Sequence, residues 1–61
     1  MKPKCKLIGE DGNIFNLMGI AARTLKKADM DDDAKEMIDR VMNSGSYLEA
    51  LGIISEYVNI Y

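Results

Sequence analysis

The stretch that decides the fold is IFNLMGIAARTLKKA, residues 14–28. Its apolar residues recur at spacings of three and four, which is the period of an amphipathic helix. They are Ile14, Leu17, Met18, Ala21, Leu25 and Ala28, and Phe15 and Ala22 widen the stripe. Ile20 falls on the polar side, beside Lys27. The pattern predicts a helix over residues 14–28 with one broad face turned towards a core.

The helix is preceded by GEDGN, residues 9–13, in which two glycines flank two carboxylates. A calcium loop needs ligands at alternate positions and a distal glutamate, whereas Glu10 and Asp11 are adjacent. The same carboxylates would repel a phosphate. We interpret the stretch as a turn in which the Asp-Gly pair supplies a positive φ and Asn13 caps the helix. A hairpin that leads into a strand over residues 13–17 is the structural alternative.

A second helix is predicted over residues 32–43, where apolar residues again follow a helical period. The acidic run at its start suits the positive end of a helix dipole. Asp33 with Glu36 has the spacing of a capping box, and Asp31 or Asp32 is an alternative cap.

A third helix is predicted over residues 46–58. Ser46 and Glu49 have the spacing of a capping box, and Gly45 is expected to end the preceding helix in a left-handed conformation. Apolar residues cover about half of the circumference of this helix, which is more than two neighbouring helices bury in so small a protein.

The ends of the chain contain two short stretches typical of strands. KCKLI, residues 4–8, predicts one short strand, and YVNIY, residues 57–61, is rich in β-branched and aromatic residues. We therefore predict a mainly α fold, a single domain over residues 1–61 with three helices and a short N-terminal strand or extended arm. The alternative is an α+β arrangement in which the N- and C-terminal segments pair.

Size and composition exclude several classes of protein. The chain has 61 residues, one cysteine and no histidine. It can form no intrachain disulfide, no usual zinc site and no Ser-His-Asp or Cys-His relay. Close helix packing or self-association must then supply the stability. We expect no enzymatic activity and no cofactor. No stretch resembles a signal peptide or a membrane span, so we expect a cytoplasmic protein without membrane contact.

The third helix is the predicted site of interaction, because tyrosines on a wide apolar face suit an interface. We expect self-association or a protein partner, and the predicted contact residues are Leu48, Leu51, Ile53, Ile54, Tyr57 and Tyr61. The alternative is a small nucleic-acid-associated or regulatory protein that contacts phosphates through Arg23, Lys26 and Lys27. The net charge of −2 does not favour it. A third hypothesis is a weak divalent-cation site in the acidic run of residues 29–33.

Three groups of residues together resemble a known sequence outline. They are G-x-D-G-N (Gly9, Asp11, Gly12, Asn13), G-x-A-x-R (Gly19, Ala21, Arg23) and a late S/A-G-x-Y (Gly45, Tyr47). This outline is similar to that of a family of small, functionally unassigned proteins of bacterial genomes, phages and mobile elements. The resemblance covers nearly the whole chain. It implies a self-contained, mainly helical domain and no site residues.

Overall fold

The computed structural model describes all 61 residues as three helices and two short strands. The order is β1 (Lys4–Cys5), α1 (Ile14–Lys27), α2 (Asp31–Met42), α3 (Tyr47–Tyr57) and β2 (Asn59–Ile60). The predicted mainly α fold is confirmed, and every helix boundary lies within one residue of its prediction. The agreement follows from the apolar period, which is a local property of the sequence.

The GEDGN stretch is a turn that starts α1, as predicted. Asn13 Oδ1 accepts a hydrogen bond from Phe15 N at 2.9 Å, which confirms the cap, and no strand forms there. Asp11 Oδ1 accepts from Asn13 N at 2.9 Å. The predicted positive φ at Gly12 is wrong, because Gly9 has it instead, with φ of 92°. The left-handed residue of the turn is therefore three positions earlier than predicted. The chain enters α1 through the hydrogen bond that the Asp11 side chain accepts from Asn13, without a left-handed glycine.

The end of α1 contains a non-glycine residue in the left-handed region. Asp29 has φ of 59°, and its N–H donates to Lys26 O at 3.1 Å. Met30 N donates to Leu25 O at 2.9 Å. These two bonds form a Schellman motif, which most often places glycine at the position that Asp29 occupies.

We expect the substitution Asp29→Gly to stabilise the protein. Glycine adopts positive φ without the steric cost that a side chain brings, and the change removes a carboxylate from the negative end of the α1 dipole. The larger entropy of glycine in the unfolded chain offsets part of the gain. We expect a net increase of about 0.5 kcal/mol in the free energy of unfolding, measured by urea denaturation. Asp29→Ala is the control, and a control as stable as Asp29→Gly would contradict this explanation.

The N-cap of α2 differs from its prediction, whereas the N-cap of α3 agrees with it. The N-cap of α2 is Met30 and makes no side-chain cap bond, so the predicted Asp33–Glu36 capping box is wrong. The aspartates instead lie in the first turn, where the dipole stabilises them. Ser46 Oγ accepts from Glu49 N at 3.1 Å, which confirms the cap of α3. Glu49 Oε1 accepts from Gly45 N at 3.1 Å, one residue before the Ser46 N–H that a capping box would use. Gly45 itself has no positive φ, contrary to expectation.

The core consists of 14 buried residues, all hydrophobic, contributed by every element except β2. One residue departs from the helical pattern: Ile20, predicted on the polar side of α1, packs against the core. The reason is β1, which covers that side of the helix, where Thr24 Oγ1 donates to Cys5 Sγ at 3.5 Å. Phe15 and Ala28, predicted in the buried stripe, are exposed because they lie at the two ends of α1.

The two strands pair in parallel, which realises the pairing predicted as the α+β alternative. Lys4 lies opposite Asn59 and Cys5 opposite Ile60. Asn59 N donates to Pro3 O at 2.8 Å and Tyr61 N to Cys5 O at 3.0 Å. The chain therefore leaves the helical conformation at Val58, a buried residue with extended backbone. The two strands bring Cys5 and Leu7 into the core.

Candidate interaction surface

The structure divides the six predicted contact residues on and after α3 between the core and the surface. Ile53, Ile54 and Tyr57 are buried in the domain's own core, so their side chains are already occupied by contacts within the monomer. Leu51 is half-buried, whereas Leu48 and Tyr61 are exposed. The apolar residues of α3 therefore fall into two groups. The larger group is buried in the core, and the smaller one, which includes Leu48, is exposed.

Exposed apolar side chains gather at the end of the bundle where α1 starts, α2 ends and α3 starts. The exposed fractions are 61% for Phe15, 58% for Met42 and 47% for Tyr47. With Ile14 and the buried Val41 they line a shallow cavity of about 360 Å³. Single exposed apolar residues are common, whereas large contiguous groups of them are typical of surfaces that bind other molecules.

A second apolar groove runs along α3 from the same tyrosine. It has a volume of about 480 Å³ and is lined by residues of the N-terminal segment, α1, α3 and β2; the apolar ones are Leu7, Ile8, Leu17, Tyr47, Leu51 and Ile60. Ile8 is 72% exposed. Leu48, which is 78% exposed, lies one turn before Leu51 and Gly52 on α3. We call the exposed or half-buried members of both grooves, with Leu48, the apolar surface: Ile8, Ile14, Phe15, Met42, Tyr47, Leu48, Leu51 and Ile60.

Tyr47 joins the two halves of the apolar surface. Its ring lines both grooves, and its hydroxyl donates a hydrogen bond to Gly12 O in the GEDGN turn. Asn16 Nδ2 donates to Asp11 O at 2.9 Å from the other side of that turn. The GEDGN turn thus holds Tyr47 in place. The polar groups of the turn are hydrogen-bonded to residues of the protein itself.

Sequence reasoning missed Ile8, Phe15 and Met42 as surface residues, although a signal for two of them was present. Short loops make consecutive helices antiparallel neighbours. The first turn of α1, the last turn of α2 and the first turn of α3 therefore meet at one end of the bundle. Phe15, Met42 and Tyr47 occupy those three turns. Apolar residues in the first or last turn of a helix lie at the end of the bundle, where no neighbouring element covers them.

A polar network lies across α2 and α3, on a different side of α3. Arg40 donates to Glu56 Oε1 at 2.8 Å and to Glu56 Oε2 at 3.1 Å, a bidentate ion pair. Arg40 also donates to the Tyr57 hydroxyl at 3.1 Å, and that hydroxyl donates to Glu36. The buried tyrosine hydroxyl is therefore fully satisfied, and burial is the main cause that raises the pKa of Tyr57. The network therefore links α2 to α3 through side-chain hydrogen bonds and one ion pair.

The ion pair predicts a pH dependence of stability. The hydrogen bonds from Arg40 hold the pKa of Glu56 below its ordinary value of 4.5. A carboxyl with a lowered pKa in the folded state contributes stability above its unfolded-state pKa and loses it as the pH falls through the folded value. We expect the free energy of unfolding to decline more steeply below about pH 5 in the native protein than in Glu56→Gln. Urea denaturation at several pH values measures this. Glu10→Gln is the control, and identical slopes in all three proteins would contradict the prediction.

The charged candidates lie away from the apolar surface. Arg23, Lys26 and Lys27 are exposed on α1, and none of them forms an ion pair, since Arg40–Glu56 is the one salt bridge. The acidic run of residues 29–33 spans the end of α1 and the first turn of α2. The structure contains no group of three or more His, Cys, Asp or Glu side chains arranged to hold a metal ion. None of its helices combines the length and apolar character needed to cross a membrane.

Comparison of the chain with known proteins found no relative. No protein-family model matches the chain, and no curated protein or solved structure matches it either.

Proposed function

We propose that this protein is a non-enzymatic protein-interaction module that self-associates or binds a protein partner through the apolar surface around the start of its third helix. The observation that carries the proposal is the set of large apolar side chains left outside a core that is already complete. Phe15, Met42 and Leu48 are each more than half exposed, while 14 hydrophobic residues fill the interior.

The anatomy of the apolar surface supports this proposal. Tyrosine, phenylalanine and methionine are enriched at protein interfaces, where an aromatic ring buries a large area at low entropic cost. Tyr47 is held by its bond to Gly12, so little conformational freedom remains to be lost on binding. The backbone of the surface lies in the helices, in β2 and in the N-terminal segment, where Ile8 N donates to Tyr61 O at 3.0 Å, so it is ordered without a partner, which supports a preformed site.

Site-specific photo-crosslinking in the native host tests the proposal. A photoreactive residue at Leu48 is expected to give a discrete adduct, and the same residue at Asp32, exposed in the first turn of α2, is expected to give none. The adduct should disappear when Phe15→Asp is added. That change is compatible with folding, because Phe15 is exposed and an acid in a first turn is favourable. An adduct that survives Phe15→Asp, or no adduct at Leu48, would overturn the proposal.

A second proposal is contact with nucleic acid through α1. It is supported by the exposure of Arg23, Lys26 and Lys27, which occupy neighbouring positions on one helix face without any carboxylate partner. Binding to DNA or RNA should then weaken steeply with salt. Replacing all three residues by alanine should reduce the salt slope as well as the affinity. An absence of binding at low salt would exclude this function.

A further inference from the structure

The side of the two-stranded sheet that faces solvent carries lysines. Lys2, Lys4 and Lys6 of the N-terminal segment are exposed. Cys5 and Leu7, which alternate with them, are buried in the core. Successive side chains of an extended segment point to opposite sides. The structure therefore turns these lysines to the side of the sheet that lies away from the core.

Tyr61 lies on the same side of the sheet. Its N–H donates to Cys5 O at 3.0 Å, and its O accepts from Leu7 N at 2.7 Å. In a parallel pair these two bonds place Tyr61 opposite Lys6, and residues that lie opposite each other point to the same side. Tyr61 is 54% exposed. The same face of the sheet thus holds cations and an accessible aromatic ring.

A shallow cavity lies on this face of the sheet. It has a volume of about 480 Å³ and is lined by Lys4, Asn59, Ile60 and Tyr61, with no aspartate or glutamate. A cation beside an exposed aromatic ring is the combination with which proteins bind single-stranded nucleic acid, because the cation attracts a phosphate and a base stacks on the ring.

Helix α1 adds cations on the other side of β1. β1 contacts both α1 and β2, whereas α1 and β2 do not contact each other, so β1 lies between them. Thr24 Oγ1 donates to Cys5 Sγ at 3.5 Å, which places Thr24 against β1. Lys27 lies beside Thr24 on the helix surface and Arg23 lies beside Lys27, and both cations are exposed. Two basic stretches that are distant in the sequence therefore become neighbours.

We call Lys4, Lys6, Arg23, Lys27 and Tyr61 the basic face. None of its cations forms an ion pair, since Arg40–Glu56 is the one salt bridge. Lys6 Nζ donates to Ile8 O at 3.1 Å and keeps two further donors. Lys2 is left out, because its Nζ donates to Ser55 O and its charge acts on Glu56.

The charge of the chain is divided between its two halves. Residues 1–28 contain six lysines and arginines and two acidic residues, which gives a net charge of +4. Residues 29–61 contain two and eight, which gives −6 and accounts for the total of −2. The basic face belongs entirely to the first half and to the uncharged end of β2. The negative net charge of the protein is therefore compatible with an anionic ligand at this face.

We propose that the basic face binds a single strand of nucleic acid, with phosphates on its four cations and one base stacked on Tyr61. This inference rests on the second proposed function, contact with nucleic acid through α1, and adds the sheet to the contact. A single strand offers the flat faces of its bases, whereas a duplex has them stacked on one another. Tyr61 therefore favours the single strand.

Fluorescence anisotropy with labelled single strands of about 12 nucleotides tests the cations. Oligomers of dT and of U distinguish DNA from RNA, and binding of either supports the inference. We expect a Kd on the order of 10 µM at low salt, with log K falling against log salt at a slope of about −3, since each of four phosphates contributes about −0.7. Lys4→Gln should reduce the slope by about 0.7. Lys35→Gln, exposed on α2, is the matched control: it changes the net charge equally and should leave the slope unchanged.

Substitution of Tyr61 tests the stacking. Tyr61→Leu should weaken binding at least about fivefold without changing the salt slope, because it removes the ring and no charge. Phe15→Leu removes an exposed ring elsewhere and should have no effect. Tyr61→Trp should retain binding, and since the protein has no other tryptophan, a base stacked on the new ring quenches its fluorescence. Circular dichroism and the thiol reactivity of Cys5 verify that each variant keeps the helices and the strand pair.

The outcomes separate this inference from the second proposed function. Binding that is lost in the triple alanine variant of α1 but unaffected by Lys4→Gln and Tyr61→Leu overturns the inference and leaves the contact through α1 standing. An absence of binding at low salt overturns both. Equal affinity for a duplex, or for an oligomer of glutamate of the same charge, also overturns the inference, because neither presents an unstacked base.

Discussion

Replacing Ile54 by alanine is expected to lower the free energy of unfolding by about 2–5 kcal/mol, the range for large-to-small changes in a core. Ile54 is 0% exposed and lies in the middle of α3. The loss combines the transfer energy of the deleted methyl and methylene groups with the cavity that remains. A chain of 61 residues has a total stability of roughly 3–9 kcal/mol, so the substitution should remove a large part of the total stability. Circular dichroism with urea denaturation measures this.

Leu48→Ala is the matched control for Ile54→Ala. Both residues lie on α3 and both carry the same number of side-chain carbons, but Leu48 is 78% exposed. We expect the control to change stability by less than about 0.5 kcal/mol. The two variants together separate the inward face of α3 from its outward face. Equal losses in both would mean that the assignment of these faces is wrong.

The second large effect is expected from the double substitution Asn59→Pro and Tyr61→Pro. Proline has no N–H, so the bonds to Pro3 O and Cys5 O are lost together. With about 1 kcal/mol for each bond, we expect the strand pair to open with a loss of roughly 2 kcal/mol. The loss is local at first, because α1, α2 and α3 retain their contacts with one another.

Cys5 reports this opening directly. It is the only cysteine, it lies in β1 and it is buried in the native fold. A thiol reagent such as DTNB should therefore react slowly with the native protein and more than about tenfold faster with the double variant, since 1.4 kcal/mol corresponds to a factor of ten. Helical circular dichroism measured in parallel shows whether the helices persist. An unchanged reaction rate would show that the parallel pairing does not protect β1.

Ile60→Pro is the control for the double variant. In a strand, successive N–H groups point in opposite directions, so the N–H between those of Asn59 and Tyr61 points away from β1. The substitution introduces the same rigid ring without removing a bond to Pro3 or Cys5. We expect the reactivity of Cys5 to stay near its native value.

The sequence was sufficient to predict the features that depend on interactions between residues close together in the chain. The apolar period defines α1, and the Asn13 and Ser46 caps depend on hydrogen bonds that reach only two or three residues along the chain. The same reasoning failed at the α1–α2 connection. There Asp29 adopts a left-handed conformation and Met30 becomes the N-cap, although three aspartates compete for the role. Packing of α1 against α2 sets that connection, and local preferences of about 1 kcal/mol give way to it.

The sequence indicated that α3 would carry exposed apolar residues, but it did not indicate which residues these would be. The excess of apolar residues on α3 correctly indicated that some would remain exposed, which is how Leu48 was identified. Which ones remain exposed depends on where neighbouring elements lie. Ile53, Ile54 and Tyr57 are part of the buried core, whereas Phe15 and Met42 are exposed and line a groove at the end of the bundle. The Arg40–Glu56 pair joins two helices, and no spacing within one helix reveals such a bond.

By itself, the sequence determined the number, type and limits of the three helices, because periodicity and caps act between residues close together in the chain. It also excluded an intrachain disulfide and the usual zinc-binding patterns, since it has one cysteine and no histidine. Only the tertiary structure decided that the two ends of the chain pair in parallel. Only the tertiary structure showed which apolar residues of α3 lie in the core and which lie on the surface. Both outcomes depend on contacts between residues far apart in the chain, whose energies exceed the local preferences that the sequence displays.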